Sequence, residues 1–566
     1  MEKFSQMIYT RPDVEGFAKK FAEKLEEFRS AKSYEQLKAI YFEMQEMQLE
    51  LRNNATLCHV RNTMDMTDPF YEAEQAFLDE AMPALMPLFL EADKALLATP
   101  FRKEMEGEYG SELFAQAEIT VKTQTPELVP LLVKENALRA AYSKKAASCH
   151  TEFRGEDCNF YGLLKHMQSA DRDERKEAFF AWAGLYETVA AELDDIYSRL
   201  TELRQEKAKI LGYENFIPLG YLDMGRTDWT NKEVKSFRKQ VQEVVVPACV
   251  ELLEAQKKRI GVDKLHYYDE SFRFCEGNPT PHGSMEEMVG WAGEMYRELS
   301  PETGEFFDFM TRYELFDLVT RPGKRPGGYM TLFTKEKAPF IFSNFNGTSA
   351  DVDVLTHEAG HAFQGYLASR NQELAMYWGS TSEVNEIHSM SMEFFAYPWM
   401  DKFFGEDAAR YRYAHLSDCV LTIPYLVMVD DFQEQVYAAG NPSAEERYAI
   451  WNKLEKIYLP WRDYDGQEMM EKGGFWMQKQ HIFLYPFYYV DYALAQICAM
   501  QFYVLNHQDP KAAWQGYMDL CLAGGSKNYS ELLRVAKLES PFADGTVKKV
   551  IDPVMEELRK SPYHQA

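Results

Sequence analysis

Cysteine is scarce in this 566-residue chain: Cys58, Cys149, Cys158, Cys249, Cys275, Cys419, Cys498 and Cys521 are scattered, with no CxxC pair. That excludes a disulfide-stapled scaffold and predicts buried, reduced thiols. Long apolar runs are also missing. The most apolar short stretch, VVVPACV at 244–250, is far too short to span a bilayer. The first residues, MEKFSQMIYTRPDVEGFAKKF, lack the apolar core of a signal peptide, so the expected location is cytoplasmic. Basic residues are the minority: 62 Lys and Arg against 89 Asp and Glu give a formal charge of −27. With no local basic patch, such a surface repels phosphate backbones and anionic lipids, so neither nucleic acid nor membrane is an expected partner. Internal repeats and low-complexity runs are absent as well. What remains, with 46% hydrophobic and 27% charged residues, is an ordinary globular composition, long enough for three to four domain-sized units at about 150 residues each.

Helical periodicity dominates. Val14, Phe17, Phe21, Leu25 and Phe28 step by three or four, as do Leu193, Ile196, Leu200 and Leu203 on a segment that should stop near Gly212. Further helices are expected over roughly 34–52, 172–188, 231–260, 284–299, 443–458 and 510–523. Two regions break the pattern. Residues 264–283 are aromatic and end in a Gly-Asn-Pro-Thr-Pro loop signature, and residues 321–347 open Gly/Pro-rich and continue as two short strands, GYMTLF and FIFSNF. The expected fold is mainly α with one small β-sheet beside the helix at about 350–368. A helical N-terminal part (1–200) would precede a catalytic part (201–566), with no sharp linker between them.

The chemistry begins at His357-Glu358-Ala359-Gly360-His361. Two histidines four apart on a helix share one face and reach a single ion, and zinc suits imidazole donors. A catalytic site uses three protein ligands and leaves the fourth position to water. Glu358, beside the first histidine, can take that water's proton. The third ligand must come from another element. Glu383, Glu386 and Glu393, in GSTSEVNEIHSMSMEFF at 379–395, can share one helix face, with Glu386 lying 25 residues after His361. Two familiar alternatives fail: a histidine six residues after His361 is replaced by Leu367, and an acidic ligand 19 residues on by Ser380.

HEAGHAFQ followed at this spacing by GxxxExxEIHSMSMEFF resembles peptidase family M3, in its oligoendopeptidase F and Pz-peptidase branch. RQEKAKILGYENF (204–216), GGYMT (327–331), PFIFSNFNGTSADVDVLTHEAGHAF (339–363), DDFQEQVY (430–437) and QHIFLYPFYYVDYALAQ (480–496) extend the resemblance from about residue 200 onward. Before that, only general helicity matches. The resemblance implies a zinc-dependent endopeptidase for short peptides, with an ellipsoidal, two-lobed helical body cut by a deep channel and one zinc per chain. His357, His361 and Glu386 carry over as ligands and Glu358 as general base. Departures are Gln364, where many members have histidine, Glu383 in place of aspartate, and His388-Ser389 in place of Pro-Ser. Glu383 and Glu393 are candidates for accepting the ligand histidines' other N–H.

In His481-Ile-Phe-Leu-Tyr485-Pro-Phe-Tyr488-Tyr489-Val-Asp-Tyr492, Pro486 suits a first helical turn, which puts His481 in the preceding loop. Tyr488, Tyr489 and Tyr492 then converge on one face, where a phenol or His481 would stabilise the oxygen of the carbonyl under attack. The resemblance implies substrate contact for this segment, Tyr485 included. Phe342 and Asn344, in FIFSNF, are candidate substrate contacts if that strand is an open edge for an extended peptide. Gly328 and Tyr329 join them through close backbone approach. Two rival readings are a metallocarboxypeptidase with the same ligand set and a non-catalytic peptide-binding protein. Cleavage preference and oligomeric state are not legible.

Overall fold

Where each apolar stripe is capped decides where each helix stops. In the computed structural model, which describes residues 1–565, the first stripe forms Val14–Arg29, its N-terminus capped by the Asp13 side chain. Capping boxes at Ser284 and Ser443 open Met285–Leu299 and Ala444–Tyr458. The segments at 172–188 and 193–203 are parts of one 39-residue helix, Arg172–Ile210, that ends before Gly212 (φ 82°). The helix expected over 231–260 is interrupted. Asn231–Gln240 and Val246–Arg259 are joined by a π-helical turn at Val241–Val245. Pro247 has no N–H for the carbonyl four residues back, and the wider turn absorbs that mismatch.

The fold is mainly α, as expected. Five strands occur among the described residues: β1 (His150–Phe153), β2 (Glu156–Asn159), β3 (Phe316–Val319), β4 (Tyr329–Phe333) and β5 (Ala338–Phe345). They form two sheets rather than one. β1 and β2 are a hairpin, and the other three run in the order β3-β5-β4, with β5 parallel to β3 and antiparallel to β4. The hairpin and β3 were not anticipated because their sequences are short and charged. The position of β5 corrects another expectation: FIFSNF is paired on both sides, so it is no edge, and the two edge strands of this sheet are β3 and β4.

The chain divides into two compact units. One comprises Met1–Lys122, Thr280–Ala408 and Leu505–Leu538. In it the motif helix, Ala350–Asn371, lies on the sheet with Gly365 against the Met330 and Leu332 side chains of β4. Phe363 stacks on Trp514 and Tyr517 of Pro510–Ala523. The other unit comprises Thr123–Pro279, Ala409–Val504 and Glu539–Ala566 and is organised around Arg172–Ile210. All eight cysteines are unpaired, and all but Cys275 are buried. No helix among the described residues is long and apolar enough to cross a membrane.

In the second unit, Glu135 on Val129–Ala147 accepts from Arg204 Nε (2.7 Å) and pairs with Lys207 Nζ (2.7 Å). Burial raises its carboxyl pKa, but the two cations outweigh burial and hold it at about 2, below the ordinary 4.5. A depressed carboxylate contributes stability that is complete above its unfolded-state pKa and is lost as pH falls through the folded one. We therefore expect Glu135 to withdraw on the order of 3 kcal/mol between pH 4.5 and 2. Denaturant titrations across that window should show a shallower acid limb for Glu135→Gln. Parallel limbs for wild type and variant would remove the linkage.

Candidate metal centre and active site

The motif helix presents His357 and His361 one turn apart, their ring centroids 5.0 Å apart and planes nearly perpendicular. The facing helix, Ser382–Phe395, brings Glu386 Oε2 to 3.3 Å from His357 Nε2 and 3.5 Å from His361 Nε2. One donor atom from each residue lies within 4.8 Å of the other two. An ion about 2.0–2.2 Å from tetrahedral N and O donors spaces them about 3.3–3.5 Å apart, so the observed separations fit zinc without backbone movement.

The electrostatics agree with the geometry. Burial works against a charged His357 ring, but Glu386 and Glu393 outweigh it and raise its pKa well above the usual value. Burial likewise opposes ionisation of Glu386, yet His357 and His361 hold its carboxyl well below the usual range. A field that favours a proton at His357 Nε2 also favours a cation there. Glu393 Oε1 accepts from His357 Nδ1 at 2.6 Å, so Nε2 is the nitrogen that gives up its proton when an ion binds. Of the two carboxylates proposed for that orienting role, the bond to His357 is made by Glu393. Glu383 is buried in the first turn of the same helix.

Ser389, Gly360 and Tyr517, to which sequence analysis assigned no role, complete this arrangement. Ser389 Oγ donates to Glu386 Oε2 at 3.0 Å, a spacing of three that helical periodicity offers but does not single out. Gly360 lets the two helices touch: a Cβ there would lie 2.6 Å from the His388 carbonyl oxygen and 2.7 Å from Ser389 Cα. Tyr517 donates its hydroxyl to that same His388 carbonyl at 3.0 Å. The departures from the family pattern also acquire local roles. Gln364 donates to the Trp378 carbonyl, and the His388 ring is fully buried, which lowers its pKa to about 3. Gly360→Ala should force the helices apart by several tenths of an ångström, lower stability by about 1–3 kcal/mol and weaken metal retention. Thermal melts with and without chelator check this, and an unchanged melt would show that the close approach is dispensable.

Glu358 is half-buried on the motif helix. A Cβ added at Gly328 would stand 4.0 Å from Glu358 Oε1, so the Gly-Gly turn before β4 passes directly beside this carboxylate. Among the other proposed substrate contacts, the Phe342 side chain is corrected. Phe342 is fully buried, stacked on Tyr329 at 4.8 Å, and Tyr329 Oη is 2.6 Å from Thr63 Oγ1. Asn344 uses its amide to hold the Arg325 and Gly327 carbonyls. These bonds hold the turn that carries the Gly328 backbone past Glu358.

In the second unit, His481 lies on a short helix, Gln480–Leu484, not in a loop. Pro486 occupies the following turn, and the long helix begins only at Tyr489. The turn is set by Phe487, whose φ of 63° is rare for a residue with a side chain. Arg226 donates to the Phe487 carbonyl and to Asp491, and Gln433 accepts from the Phe487 N–H. The His481 ring centroid lies 4.7 Å from Tyr489, 5.7 Å from Tyr488, 6.0 Å from Tyr485 and 6.4 Å from Tyr492. The Tyr488 and Tyr492 hydroxyls are 3.3 Å apart. The Tyr488 and Tyr492 hydroxyls therefore meet, with the Tyr489 ring beside them. Tyr485 is half exposed, with the Arg139 guanidinium over its ring. Buried His481 Nδ1 has no hydrogen-bond partner among the described residues, and burial lowers the ring's pKa to about 4, so it is neutral at pH 7.

The quoted motifs of this unit meet behind that segment. Fully buried Arg204 donates to the Tyr437 hydroxyl and to the Ile482 and Phe483 carbonyls. Gln205 bonds the Tyr437 carbonyl and the Phe216 N–H, and Arg238 ties Asp430 to Glu434. RQEKAKILGYENF and DDFQEQVY are thus the mould in which His481–Tyr492 is cast.

The family described as Peptidase family M3 matches residues 165–288 and 301–550, and the Peptidase M3 N-terminal domain matches residues 4–124. The latter covers a region where sequence inspection found general helicity only. An oligoendopeptidase F homolog of Borreliella burgdorferi is 22% identical over 385 residues, covering 66% of this chain. The group B oligopeptidase PepB of Streptococcus agalactiae is 23% identical over 414 residues, covering 68%. The match spans 63% of the length of each of these two relatives. Among solved structures, Pz peptidase A with an inhibitor is 45% identical over 99% of this chain and 100% of its own, with a TM-score of 0.93.

Proposed function

Since the chain belongs to peptidase family M3, in its oligoendopeptidase F branch, we propose that it is a zinc-dependent endopeptidase that hydrolyses internal bonds of short oligopeptides. His357, His361 and Glu386 would hold one zinc ion per chain. The observation that carries this reading is the pair of imidazole nitrogens and one carboxylate oxygen gathered within 4.8 Å, with Glu358 half-buried on the same helix. Zinc, when bound, supplies the Lewis acidity that acidifies water and polarises the scissile carbonyl.

The chain's own residues do the rest. Glu358 accepts the proton of the attacking water and returns it to the departing amine. Glu393 fixes the His357 tautomer, and Ser389 fixes one oxygen of Glu386. An extended peptide would lie along the open edge of β4, starting at Gly328, where main-chain hydrogen bonds give affinity without demanding a particular sequence. A neutral His481 or one of Tyr488, Tyr489 and Tyr492 would donate to the carbonyl oxygen as charge develops on it. The unsatisfied His481 Nδ1 and the converging hydroxyls support that role.

A peptide blocked at both ends tests the proposal. Internal cleavage, read by mass spectrometry and abolished by chelator, is the expected result. An enzyme that needs a free carboxyl terminus would leave the blocked peptide intact, and a mere peptide binder would cleave nothing.

A further inference from the structure

A second cluster of metal-binding side chains lies in the other unit, on the β1–β2 hairpin. β2 places Glu156 and Cys158 two residues apart, hence on one face of the strand, and His166 ends the helix Phe160–His166 that follows. One donor atom from each of the three lies within 4.8 Å of the other two, and His166 Nε2 is 3.7 Å from Glu156 Oε2.

Three further observations separate this cluster from a chance meeting of polar groups. Cys158 is only 4% exposed, and its Sγ, facing the other two donors, makes no hydrogen bond among the described residues. The opposite ring nitrogen, His166 Nδ1, bonds Glu174 Oε1 at 2.6 Å, and Glu174 is steadied in turn by Ser169 Oγ at 2.9 Å. A carboxylate on the far nitrogen is the arrangement that orients a ligating imidazole, and it points the free nitrogen at Glu156 and Cys158. Finally, tetrahedral zinc with one sulfur, one nitrogen and one oxygen donor requires separations of about 3.3–3.6 Å; His166 Nε2 and Glu156 Oε2 stand at 3.7 Å, and side-chain rotation would bring the sulfur, within 4.8 Å of both, into the set.

We propose that Glu156, Cys158 and His166 form a second, independent site for a thiophilic divalent cation of the zinc type, oriented by Glu174. Nitrogen, sulfur and oxygen donors together favour zinc or cobalt over magnesium or calcium. Binding forms a metal–sulfur bond as the Cys158 thiol gives its proton to solvent, so affinity rises with pH. The ion would clamp the hairpin to the end of Phe160–His166, beside the first turn of Arg172–Ile210. With three protein donors, one of them exposed, water completes the shell.

Cobalt(II) titration of the full chain tests this separately from the peptidase reading, because the motif site has no sulfur donor. A thiolate-to-cobalt charge-transfer band in the near ultraviolet therefore reports on a cysteine-containing site, and Cys158→Ser assigns it among the eight thiols. We expect about two metal equivalents per chain, with the band retained when both His357 and His361 are changed to alanine. In Cys158→Ser the band should vanish and one equivalent should remain. Because Glu156 is 71% exposed, Glu156→Gln leaves folding intact and should weaken the titration at least about tenfold, as Glu174→Gln should. No band at saturating cobalt, a band that survives Cys158→Ser, or an unchanged titration in Glu156→Gln would each overturn the proposal.

Discussion

Glu358→Gln is expected to keep a full complement of metal while kcat falls by about 10²–10⁴-fold. Glutamine preserves the volume and one oxygen of the side chain but cannot accept and return a proton, and general base catalysis supplies a factor of that size. The geometry separates the two readouts. The donor set is closed by His357, His361 and Glu386, whose atoms already stand at coordination spacing, and Glu358 is not one of them. Its carboxylate instead passes beside the Gly328 turn, where a bound peptide would run. The metal-to-protein ratio and single-turnover rates of the variant decide the matter. Full activity would remove Glu358 as the base. Loss of metal together with activity would place it among the ligands instead.

How far this site was legible differs residue by residue. The spacing of His357 and His361 dictates a shared helix face, and helical periodicity puts Glu383, Glu386 and Glu393 on one face of the next element. The structure separates those three by depth and direction: Glu386 meets both rings, and Glu393 takes the far nitrogen of one of them. Gly360 stood inside the most legible motif, yet its reason is tertiary, a carbonyl of another helix where a Cβ would be, and no local pattern encodes it.

The errors have similar causes. FIFSNF carries every local signal of a strand, but strand order is decided by its neighbours, and β3 and β4 both pair with it. Pro486 is a good helix starter, but the left-handed Phe487, held by Arg226 and Gln433 from distant segments, delays the helix to Tyr489 and leaves His481 on a helix of its own. The motifs at 204–216 and 430–437 read as family signatures without evident chemistry. Their side chains turn out to satisfy the backbone of 482–487, so they preserve the shape of a segment rather than react.

Glu386→Ala should empty the motif site. It removes one of three donors and the only negative charge among them, leaving two neutral imidazoles that hold an ion far less tightly. The expected result is a metal-to-protein ratio close to zero at the motif site after dialysis against a mild chelator, with peptide cleavage below detection. Ser389→Ala provides the graded control. The carboxylate stays, but the hydroxyl that fixes Oε2 from 3.0 Å is gone, and loss of such an orienting bond costs about 10–100-fold in metal affinity. Activity in Ser389→Ala should therefore return when zinc is added in excess, whereas Glu386→Ala should stay inactive at any zinc concentration that leaves the protein soluble. The two variants ask different things of one carboxylate, its presence and its direction. If Glu386→Ala retained stoichiometric metal at the motif site, the third donor would have to be sought elsewhere. Glu393 would then be the first carboxylate to test, since it already touches His357.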